Sequence, residues 1–534
     1  MQWQLKPDIR IRHEVLFGDR VVRCFAGRPA HTYAMFAATV SARPEAEALV
    51  CGSERLTYGA LAERVEEIAG GLASAGVSSG DRVGMLLGNR VEFVTALLAI
   101  LRLGAVAVPI GTRLQTPEIA YILDYAGAVA LVHEATLASR LPDAADLPHL
   151  KRRYAVGGAC AGSEPFESLL SGQAAPPFKD PPEEAVALIL YTSGTTGRPK
   201  GAMLSHVNIV HSALHFCYCM DLTPQDRTLL AVPASHVTGV MAVIITAWCA
   251  GGAVIMMPEF KAAEFLSLAA RERLTHTIMV PAMYNLCLLQ PDFDRYDLST
   301  WRVGGYGGAP MPEATIAALA EKLPQLGLMN AYGATETTSP TTMMPARFTP
   351  GHSDSVGLAL PCVDVIVADA DGREVPPGEP GEIWIRGPMV VQGYWNNPEA
   401  TAQSFTAGFW HSGDIGSVDA DGFVRVFDRV KDMINRGGYK IFSVEVENVL
   451  SHHPGVLESA VVAKPCPVLG ERVHAFVSRK QADVTAAELQ AFCATRLADY
   501  KVPESFTLLD EPLPRNANGK LLKRSLRDQV VAAS

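Results

Sequence analysis

The chain has 534 residues, a formal net charge of -10 at pH 7 and an apolar share of 48%. A chain of this length exceeds what one hydrophobic core usually supports, so we expect at least two domains. The acidic balance without a long basic run argues against nucleic acid as a partner and predicts a soluble protein.

The N-terminal sequence and the cysteines favour a cytoplasmic location. The start, MQWQLKPDIRIRHE, carries charges and no apolar core, so it does not resemble a secretory signal. The ten cysteines include no C-x-x-C pair and suit a reducing compartment. The most apolar stretch, residues 240–258, has a glycine pair in its middle. It fits a helix, a turn and a buried strand better than a membrane span, so we expect no integral membrane protein.

Helical and strand patterns alternate along the first part of the chain. Residues 56–75 and 90–103 predict helices, whereas 81–87 and 105–110 predict strands. This alternation is typical of βαβ units and a mainly parallel sheet. Further strands are predicted at residues 184–193, 226–232, 253–257 and 277–280.

The patterns change towards the C-terminus. Residues 381–386 and 422–428 predict a β-rich region, with turn signals before them. Beyond residue 428, short helices and strands alternate in a compact α+β unit of about a hundred residues. Its helices are predicted at residues 444–450 and 486–497, and its strands at 457–463 and 471–477.

A glycine- and hydroxyl-rich segment follows one of the predicted buried strands. Residues 191–201 read YTSGTTGRPKG, and the apolar run 185–191 precedes them. Glycines let backbone N–H groups approach an anion, hydroxyls add donors, and Lys200 adds a point charge. The segment therefore predicts a loop that binds a nucleoside triphosphate. It lacks the spacing of the common G-x-x-x-x-G-K-[ST] loop, and a plain surface loop is the alternative.

Four further motifs carry groups that a nucleotide site can use. Residues 304–310 (GGYGGAP) form a second glycine-rich strand exit, and residues 332–336 (YGATE) combine an aromatic ring, a hydroxyl and a carboxylate. Residues 410–416 (WHSGDIG) place Asp414 in a predicted glycine-flanked turn with no charge partner beside it. Residues 428–440 (DRVKDMINRGGYK) combine cations with a glycine pair at the domain junction.

Together these motifs resemble those of the adenylate-forming superfamily of acyl-CoA synthetases, nonribosomal adenylation domains and luciferases. The resemblance runs from about residue 33 to residue 523. It implies an α/β fold, with a large N-terminal domain of mainly parallel sheets and helices plus a β-rich subdomain, and a small mobile α+β C-terminal domain. The implied boundaries are residues 1–427 for the AMP-binding domain, 428–431 for the hinge and 432–534 for the C-terminal domain.

The resemblance also implies two steps that use ATP, Mg²⁺ and coenzyme A. A carboxylate attacks the α-phosphate of ATP, and a thiol then displaces AMP from the acyl adenylate. Glu336 would bind Mg²⁺, Thr335 the α-phosphate, and Arg429 and Asp414 the ribose. The β- and γ-phosphates would be held by Thr192, Ser193, Gly194, Thr195, Thr196 and Lys200. Adenine would lie against Tyr332, Gly307, Gly308, Ala309 and Pro310.

The C-terminal motifs carry the implied catalytic lysine and the pivot. By similarity, Lys520 bridges the carboxylate and the α-phosphate, although the residue type alone suggests a solvated lysine. Lys431 matches the hinge, whose rotation would withdraw Lys520 and bring Gly437 and Gly438 to the thiol tunnel. An exposed charged linker is the alternative for this junction.

His236 and the histidines and cysteines between residues 211 and 219 need separate interpretations. His236, in the motif PASHVTG, matches a position near the acyl carboxylate, where it would orient or gate the acid. A satisfied core histidine is the alternative. The spacing of His211, His215, Cys217 and Cys219 fits no standard zinc pattern, so we expect no metal there.

The implied acyl pocket is apolar, hydroxylic or aromatic. Its wall would come from Tyr306 and from residues 237–242, 280–284 and 337–342. It offers no cation for a second carboxylate and no carboxylate for an ammonium group, which disfavours dicarboxylic acids and amino acids. A medium- or long-chain fatty acid is favoured over a benzoate- or cinnamate-type aryl acid.

Other functions on the same fold stay open at this stage. They are the loading of a carrier protein, a binding protein without catalysis, and a luciferase-like oxidation. A homodimer is also left open.

Overall fold

The computed structural model describes residues 1, 3–170, 172–192, 198–480, 483–515 and 521–532. Its chain divides into two compact units. The first unit comprises Met1–Val365 and Ile385–Trp410, and the second comprises Ile366–Trp384 and His411–Ser534. The predicted boundary at residue 427 and the predicted hinge at 428–431 stay predictions.

One sheet of the first unit carries the predicted phosphate loop near its edge. Among the described residues its order is Lys200–Ser205, Val186–Thr192, Val106–Pro109, Arg82–Leu86, Ala128–Glu134, Arg152–Val156 and Glu164–Pro165. Only the first pair is antiparallel, and the other neighbours are parallel. Buried strands with near-continuous apolar runs are typical of such sheets.

A second run of paired strands in the first unit is parallel in its centre and antiparallel at its ends. In the described part of the chain its order is Gly357–Ala359, Ser339–Met343, Gly327–Ala334, Val303–Tyr306, His276–Met279, Arg227–Leu230, Ala253–Met256, Glu47–Cys51 and Glu54–Thr57. A separate hairpin joins Ile11–Leu16 to Arg20–Phe25. The alternation of strands and helices thus confirms the predicted α/β class.

The helices of the first unit begin at recognisable caps. The Thr57 hydroxyl accepts the Ala60 N–H at the start of helix Tyr58–Ser74, which the sequence predicted at residues 56–75, and Ser205 and Asn208 form a capping box before helix His206–Cys219. The α-helices are Thr32–Ala42, Tyr58–Ser74, Val91–Arg102, Thr116–Ala126, His206–Cys219, Thr246–Ala250, Ala262–Arg271, Pro281–Leu288, Glu313–Lys322 and Pro398–Ser404.

The apolar stretch at residues 240–258 has the predicted helix, turn and strand. Its helical part is a π-helix at Thr238–Ile245 followed by the α-helix Thr246–Ala250. Gly251 ends this helix with φ of 77°, and strand Ala253–Met256 follows. Within the described residues, no helix is both long and apolar enough to cross a membrane.

The second unit contains a β-rich part and an α+β part. In the β-rich part, residues 414–418 of strand Phe409–Val418 pair with strand Phe423–Arg429. The chain passes from one unit to the other within three strands, which are Asp364–Ala368, Gly381–Arg386 and Phe409–Val418.

The α+β part of the second unit has its own apolar core. Among the described residues its strands are Ile434–Arg436, Tyr439–Ile441, Val456–Cys466, Gly470–Arg479 and Ser505–Leu509, and its helices are Ser443–Ser451, Ala486–Ala494 and Lys523–Ala532. The core includes Val446, Leu450, Val473 and Leu489. This composition confirms the predicted compact α+β region.

Candidate active site

The predicted phosphate loop is flanked by two antiparallel strands. Val186–Thr192 pairs with Lys200–Ser205, and Thr192 is the Cα partner of Lys200. The Thr192 hydroxyl donates to the Lys200 carbonyl oxygen over 3.4 Å. The structure therefore brings the first and last predicted phosphate contacts side by side. Ser193, Gly194, Thr195 and Thr196 lie outside the described residues.

Glu336, the predicted magnesium ligand, is buried in a short turn after strand Gly327–Ala334. It lies in the 3₁₀ turn Thr335–Thr337 and is 8% exposed. Its Oε1 atom accepts a hydrogen bond of 2.9 Å from the Tyr394 hydroxyl. A carboxylate can accept further bonds, and carboxylate oxygen is a preferred ligand of Mg²⁺. The donor chemistry at Glu336 therefore fits magnesium, and the neighbouring Thr335 is half-buried.

Tyr394 contacts two of the predicted ATP-binding residues, and sequence reasoning missed it. Besides donating to Glu336, it places its ring centroid 5.0 Å from the Lys200 Nζ atom. Tyr394 and Glu336 are 58 residues apart, so the sequence pattern does not show that they are in contact. The sequence feature that could have pointed to Tyr394 is the aromatic pair Tyr394 and Trp395, which precedes a helix capped by Asn397.

The predicted adenine-binding residues lie at the ends of neighbouring parallel strands. Strand Val303–Tyr306 pairs with Gly327–Ala334, and Tyr306 is the Cα partner of Asn330. The residues that continue these strands, Gly307 and Tyr332, therefore reach the same edge of the sheet. Tyr332 is half-buried, and Gly308, Ala309 and Pro310 complete the predicted set.

Close backbone contacts require glycine at two positions of this edge. A Cβ atom at Gly307 would lie 2.3 Å from the Ala331 carbonyl oxygen. One at Gly333 would lie 1.5 Å from the Ser339 carbonyl oxygen. No side chain could fit at either position without a backbone shift. Gly307 therefore lets the two parallel strand ends approach each other, and Gly333 lets strand Gly327–Ala334 approach Ser339 of the next strand.

His236 lies on the turn that leads into the π-helix Thr238–Ile245. Its N–H donates to the Pro233 carbonyl oxygen over 3.1 Å, and its own carbonyl accepts the Val240 N–H at 2.9 Å. The side chain is half-buried. Asn89 accepts the Ala234 N–H at 2.7 Å and fixes this turn from a separate loop. π-helical turns occur frequently at functional sites.

The second unit contains both predicted ribose contacts, and here one expectation was wrong. Asp414 lies in strand Phe409–Val418 and not in a turn. It also has a charge partner, because its Oδ1 atom lies 2.9 Å from the Arg429 Nε atom. Gly413, with φ of 69°, and a bulge after Ile415 let the strand continue through a motif that reads as a turn. Arg429 comes from the paired strand and is the Cα partner of Asp414.

In the predicted hinge Asp428 is buried, whereas Arg429, Val430 and Lys431 are exposed, so the hinge and the exposed charged linker both stay open. The buried Asp428 carboxylate accepts the N–H groups of Ser443 at 2.5 Å and Arg429 at 2.8 Å. Burial raises the pKa of Asp428. Partial desolvation lowers the pKa of Lys431, and the nearby cations Arg429 and Arg527 lower it further.

Gly437 and Gly438 form the tight turn of a hairpin. They separate strands Ile434–Arg436 and Tyr439–Ile441, and their φ values are 60° and 95°. Both φ values lie in the left-handed region that a two-residue hairpin turn requires. The structure thus explains why glycines occupy these positions, and their approach to a thiol stays a prediction.

The predicted catalytic Lys520 lies outside the described residues, but the residues on both sides of 516–520 are described. Arg515 and Leu521 form a β-bridge, and the Leu522 N–H donates to the Pro514 carbonyl oxygen over 2.8 Å. Arg515 also pairs with Glu458. The ends of the segment are therefore joined to each other and tied to the neighbouring strand.

The histidines of helix His206–Cys219 are hydrogen-bonded within the core. His211 donates from Nδ1 to the Val207 carbonyl oxygen at 2.9 Å, and its Nε2 atom accepts the Phe25 N–H at 3.2 Å. His215 donates to the Pro361 carbonyl oxygen at 2.5 Å. Burial lowers the pKa of His211 to about 3 and that of His215 to about 4. Both rings are therefore neutral at pH 7 and bonded to backbone.

Comparison with known proteins was made at the level of family, sequence and structure. The family AMP-binding enzyme matches residues 36–395, and AMP-binding enzyme C-terminal domain matches residues 445–520. Feruloyl-CoA synthase of an Amycolatopsis species is 38% identical over 487 residues, which cover 91% of this chain and 96% of that protein. Long-chain-fatty-acid–CoA ligase FadD13 of Mycobacterium tuberculosis is 36% identical, over 93% of this chain and 97% of its own.

A solved structure extends the similarity to the whole fold. Anthranilate CoA ligase AuaEII, in complex with anthranoyl-AMP, has a TM-score of 0.88 and 28% identity to this chain. The match covers 94% of this chain and 98% of that one.

The fold and these matches define an adenylate-forming enzyme that binds ATP and ligates an acid to a thiol. The chain belongs to the AMP-binding enzyme family, as one of its acyl-CoA synthetases. This outcome confirms the resemblance drawn from the motifs.

Proposed function

We propose that this protein makes the coenzyme A thioester of an apolar monocarboxylic acid, with Mg²⁺ bound at Glu336. The acid's carboxylate oxygen attacks the α-phosphorus of ATP, and pyrophosphate leaves. The coenzyme A sulfur then attacks the acyl carbon of the adenylate, its proton is lost, and AMP leaves. Bound Mg²⁺ would supply charge that neutralises the phosphate oxygens.

The observation that supports this proposal best is the group formed by Lys200, Tyr394 and Glu336. In this group the Lys200 ammonium lies over the Tyr394 ring, and the buried Glu336 carboxylate accepts a hydrogen bond from the Tyr394 hydroxyl. The group lies next to the predicted phosphate loop. Adenylyl transfer needs positioned charge more than covalent chemistry from the protein. The pairing of Asp414 with Arg429 adds a polar site of the kind that ribose hydroxyls require.

The first candidate for the acid is a medium-chain fatty acid. Apolar residues of the predicted wall are buried, among them Val237, Val240 and Met241. Such a wall suits an alkyl chain, since apolar burial contributes about 0.8 kcal/mol per CH₂ group. The length of the chain would be limited by Tyr306, which is only 2% exposed.

An aryl acid is the second candidate, and the position of Tyr306 favours it. A Cβ atom at Gly304 would lie 3.1 Å from the Tyr284 hydroxyl oxygen of helix Pro281–Leu288. Because side chains alternate along a strand, Tyr306 extends from the same face of the sheet as Gly304. An aromatic ring under this helix would leave a short, flat pocket. The sequence relatives do not decide between the candidates, since one is named for feruloyl-CoA and the other for long-chain fatty acids.

A substrate panel tests the proposed activity. Purified protein with Mg-ATP would receive saturated fatty acids of increasing length, benzoates and cinnamates, with pyrophosphate release measured in each case. Coenzyme A would then be added and the thioester identified by mass spectrometry. Glu336→Gln is the matched control, because it keeps the shape and removes the charge. Failure of every acid to release pyrophosphate would refute the proposal, whereas pyrophosphate release without thioester would favour carrier-protein loading.

Substitution of Tyr306 tests the proposed limit on acid length. Tyr306→Gly should move the preferred acid to longer chains, because it removes the ring that would close the pocket. Each added CH₂ group that becomes buried should raise kcat/KM by about fourfold. Tyr306→Phe keeps the ring and should leave the length preference unchanged. If Tyr306→Gly prefers acids of the same length as the wild type, Tyr306 does not form the end of the acyl pocket.

A further inference from the structure

Tyr394 is held rigidly beside the predicted phosphate loop. It forms a β-bridge with Ala202, and the next residue, Trp395, donates its N–H to the Gly201 carbonyl oxygen over 2.7 Å. The Tyr394 N–H donates to the Thr401 hydroxyl over 3.0 Å. Its backbone therefore pairs alongside strand Lys200–Ser205, and its side chain is only 6% exposed.

The side chain of Tyr394 contacts one charged group at its hydroxyl and another at its ring. The hydroxyl donates to the Glu336 Oε1 atom at 2.9 Å, and the Lys200 Nζ atom lies 5.0 Å from the ring centroid. An ionised carboxylate can only accept hydrogen bonds, so the Tyr394 hydroxyl is the donor in this contact.

We propose that Tyr394 is a positioning residue for adenylation, which fixes the Glu336 carboxylate for Mg²⁺ and the Lys200 ammonium for ATP. The inference rests on the proposed function. With Oε1 held by the Tyr394 hydroxyl, the Glu336 carboxylate keeps one orientation, and its remaining lone pairs would be available to Mg²⁺. The ring face limits the positions open to the flexible lysine side chain, whose rotamer freedom is otherwise large.

Other buried tyrosines donate to groups outside the predicted site. Tyr58 and Tyr284 donate to the backbone oxygens of Gly252 and Gly305, and Tyr33 donates to the Glu66 carboxylate over 3.4 Å. Tyr394 instead donates to the carboxylate that the motifs assign to magnesium. Groups that hold a metal ligand in this way typically change metal affinity or activity by about 10- to 100-fold when they are removed.

The test measures metal binding directly, with Mn²⁺ as the probe in place of Mg²⁺. Electron paramagnetic resonance would determine Mn²⁺ affinity in the presence of a non-hydrolysable ATP analogue. Tyr394→Phe should lower the Mn²⁺ affinity by about 10-fold and raise the Mg²⁺ concentration needed for adenylation. Thioester formation from supplied acyl-AMP should stay unchanged. Tyr394→Leu also removes the ring and should raise the KM for ATP further, through Lys200.

Tyr58→Phe is the matched control, because it removes a buried, hydrogen-bonded hydroxyl that contacts no predicted site residue. It should bind Mn²⁺ like the wild type. If Tyr394→Phe does so as well, the inference is wrong. If Tyr394→Phe does not fold, Tyr394→His offers an N–H donor in its place, and tighter Mn²⁺ binding than in Tyr394→Leu is then required. A wild type that binds Mn²⁺ and nucleotide yet activates no acid would refute the proposed function only.

Discussion

Individual side chains of the site are fixed by partners that lie far away in the sequence. Glu336 is held by Tyr394, and Asp414 by Arg429. The motifs identified three of these four residues by type and spacing. They could not identify Tyr394, because its role depends on the tertiary contact with Glu336. The turn predicted at Asp414 failed for a related reason, since glycines also allow a bulged strand.

At the residue scale, the pair formed by Asp414 and Arg429 makes a prediction about ATP. Asp414→Asn should lower kcat/KM for ATP by about 10- to 100-fold, because a hydrogen bond to a charged group contributes about 1.5–3 kcal/mol. Asp419 pairs with Arg425 on the same hairpin at 2.8 Å. Asp419→Asn is therefore the matched control and should keep the wild-type value. Equal losses in the two variants would indicate damage to the hairpin and not a ribose contact.

Among the elements, helix His206–Cys219 shows what burial does to titratable groups. It carries His206, His211 and His215, and burial lowers their pKa values to about 3, 3 and 4. In the unfolded chain each would titrate near 6.5. The unfolded state therefore binds more protons between these values, and stability falls as pH drops below about 6.5.

His215→Gln should make the protein less sensitive to acid. Glutamine keeps a donor for the Pro361 carbonyl oxygen and removes the titration. Between pH 7.5 and pH 5, wild type should lose about 2 kcal/mol more than the variant from this residue. Thermal unfolding at the two pH values measures the difference. His452→Gln, at an exposed position, should keep the wild-type response, and the same response in His215→Gln would contradict the assignment.

The elements also show which parts of the fold the sequence determines locally. The apolar spacing over residues 56–75 predicted helix Tyr58–Ser74 closely. The glycine pair at 251–252 correctly divided the apolar stretch into helix and strand. The π-helix at Thr238–Ile245 was not predicted, because residues 239–245 are all buried and the pattern lacks a polar face that would reveal the helical period.

For the whole molecule, the central prediction is that the two half-reactions can be separated by substitution. Lys520→Ala should slow adenylation by about 10²–10³-fold and still convert supplied acyl-AMP to thioester. Lys431→Pro fixes φ at the predicted pivot, so it should spare adenylation and block thioester formation. Each half-reaction would be followed by quenched flow.

The exposed Lys480 provides a control for this pair, and Lys480→Ala should affect neither step. Equal loss of both half-reactions in Lys520→Ala would contradict its assignment to adenylation. Normal turnover of Lys431→Pro would exclude residue 431 as the pivot.

The path of the chain between the two units has a practical consequence for expressing the first unit alone. A gene fragment that stops at Val365 would encode Glu336 and Lys200 but omit Tyr394, which returns with Ile385–Trp410. Such a truncation should leave the carboxylate without its hydroxyl donor and weaken nucleotide binding. A stop codon after residue 427 retains that returning segment.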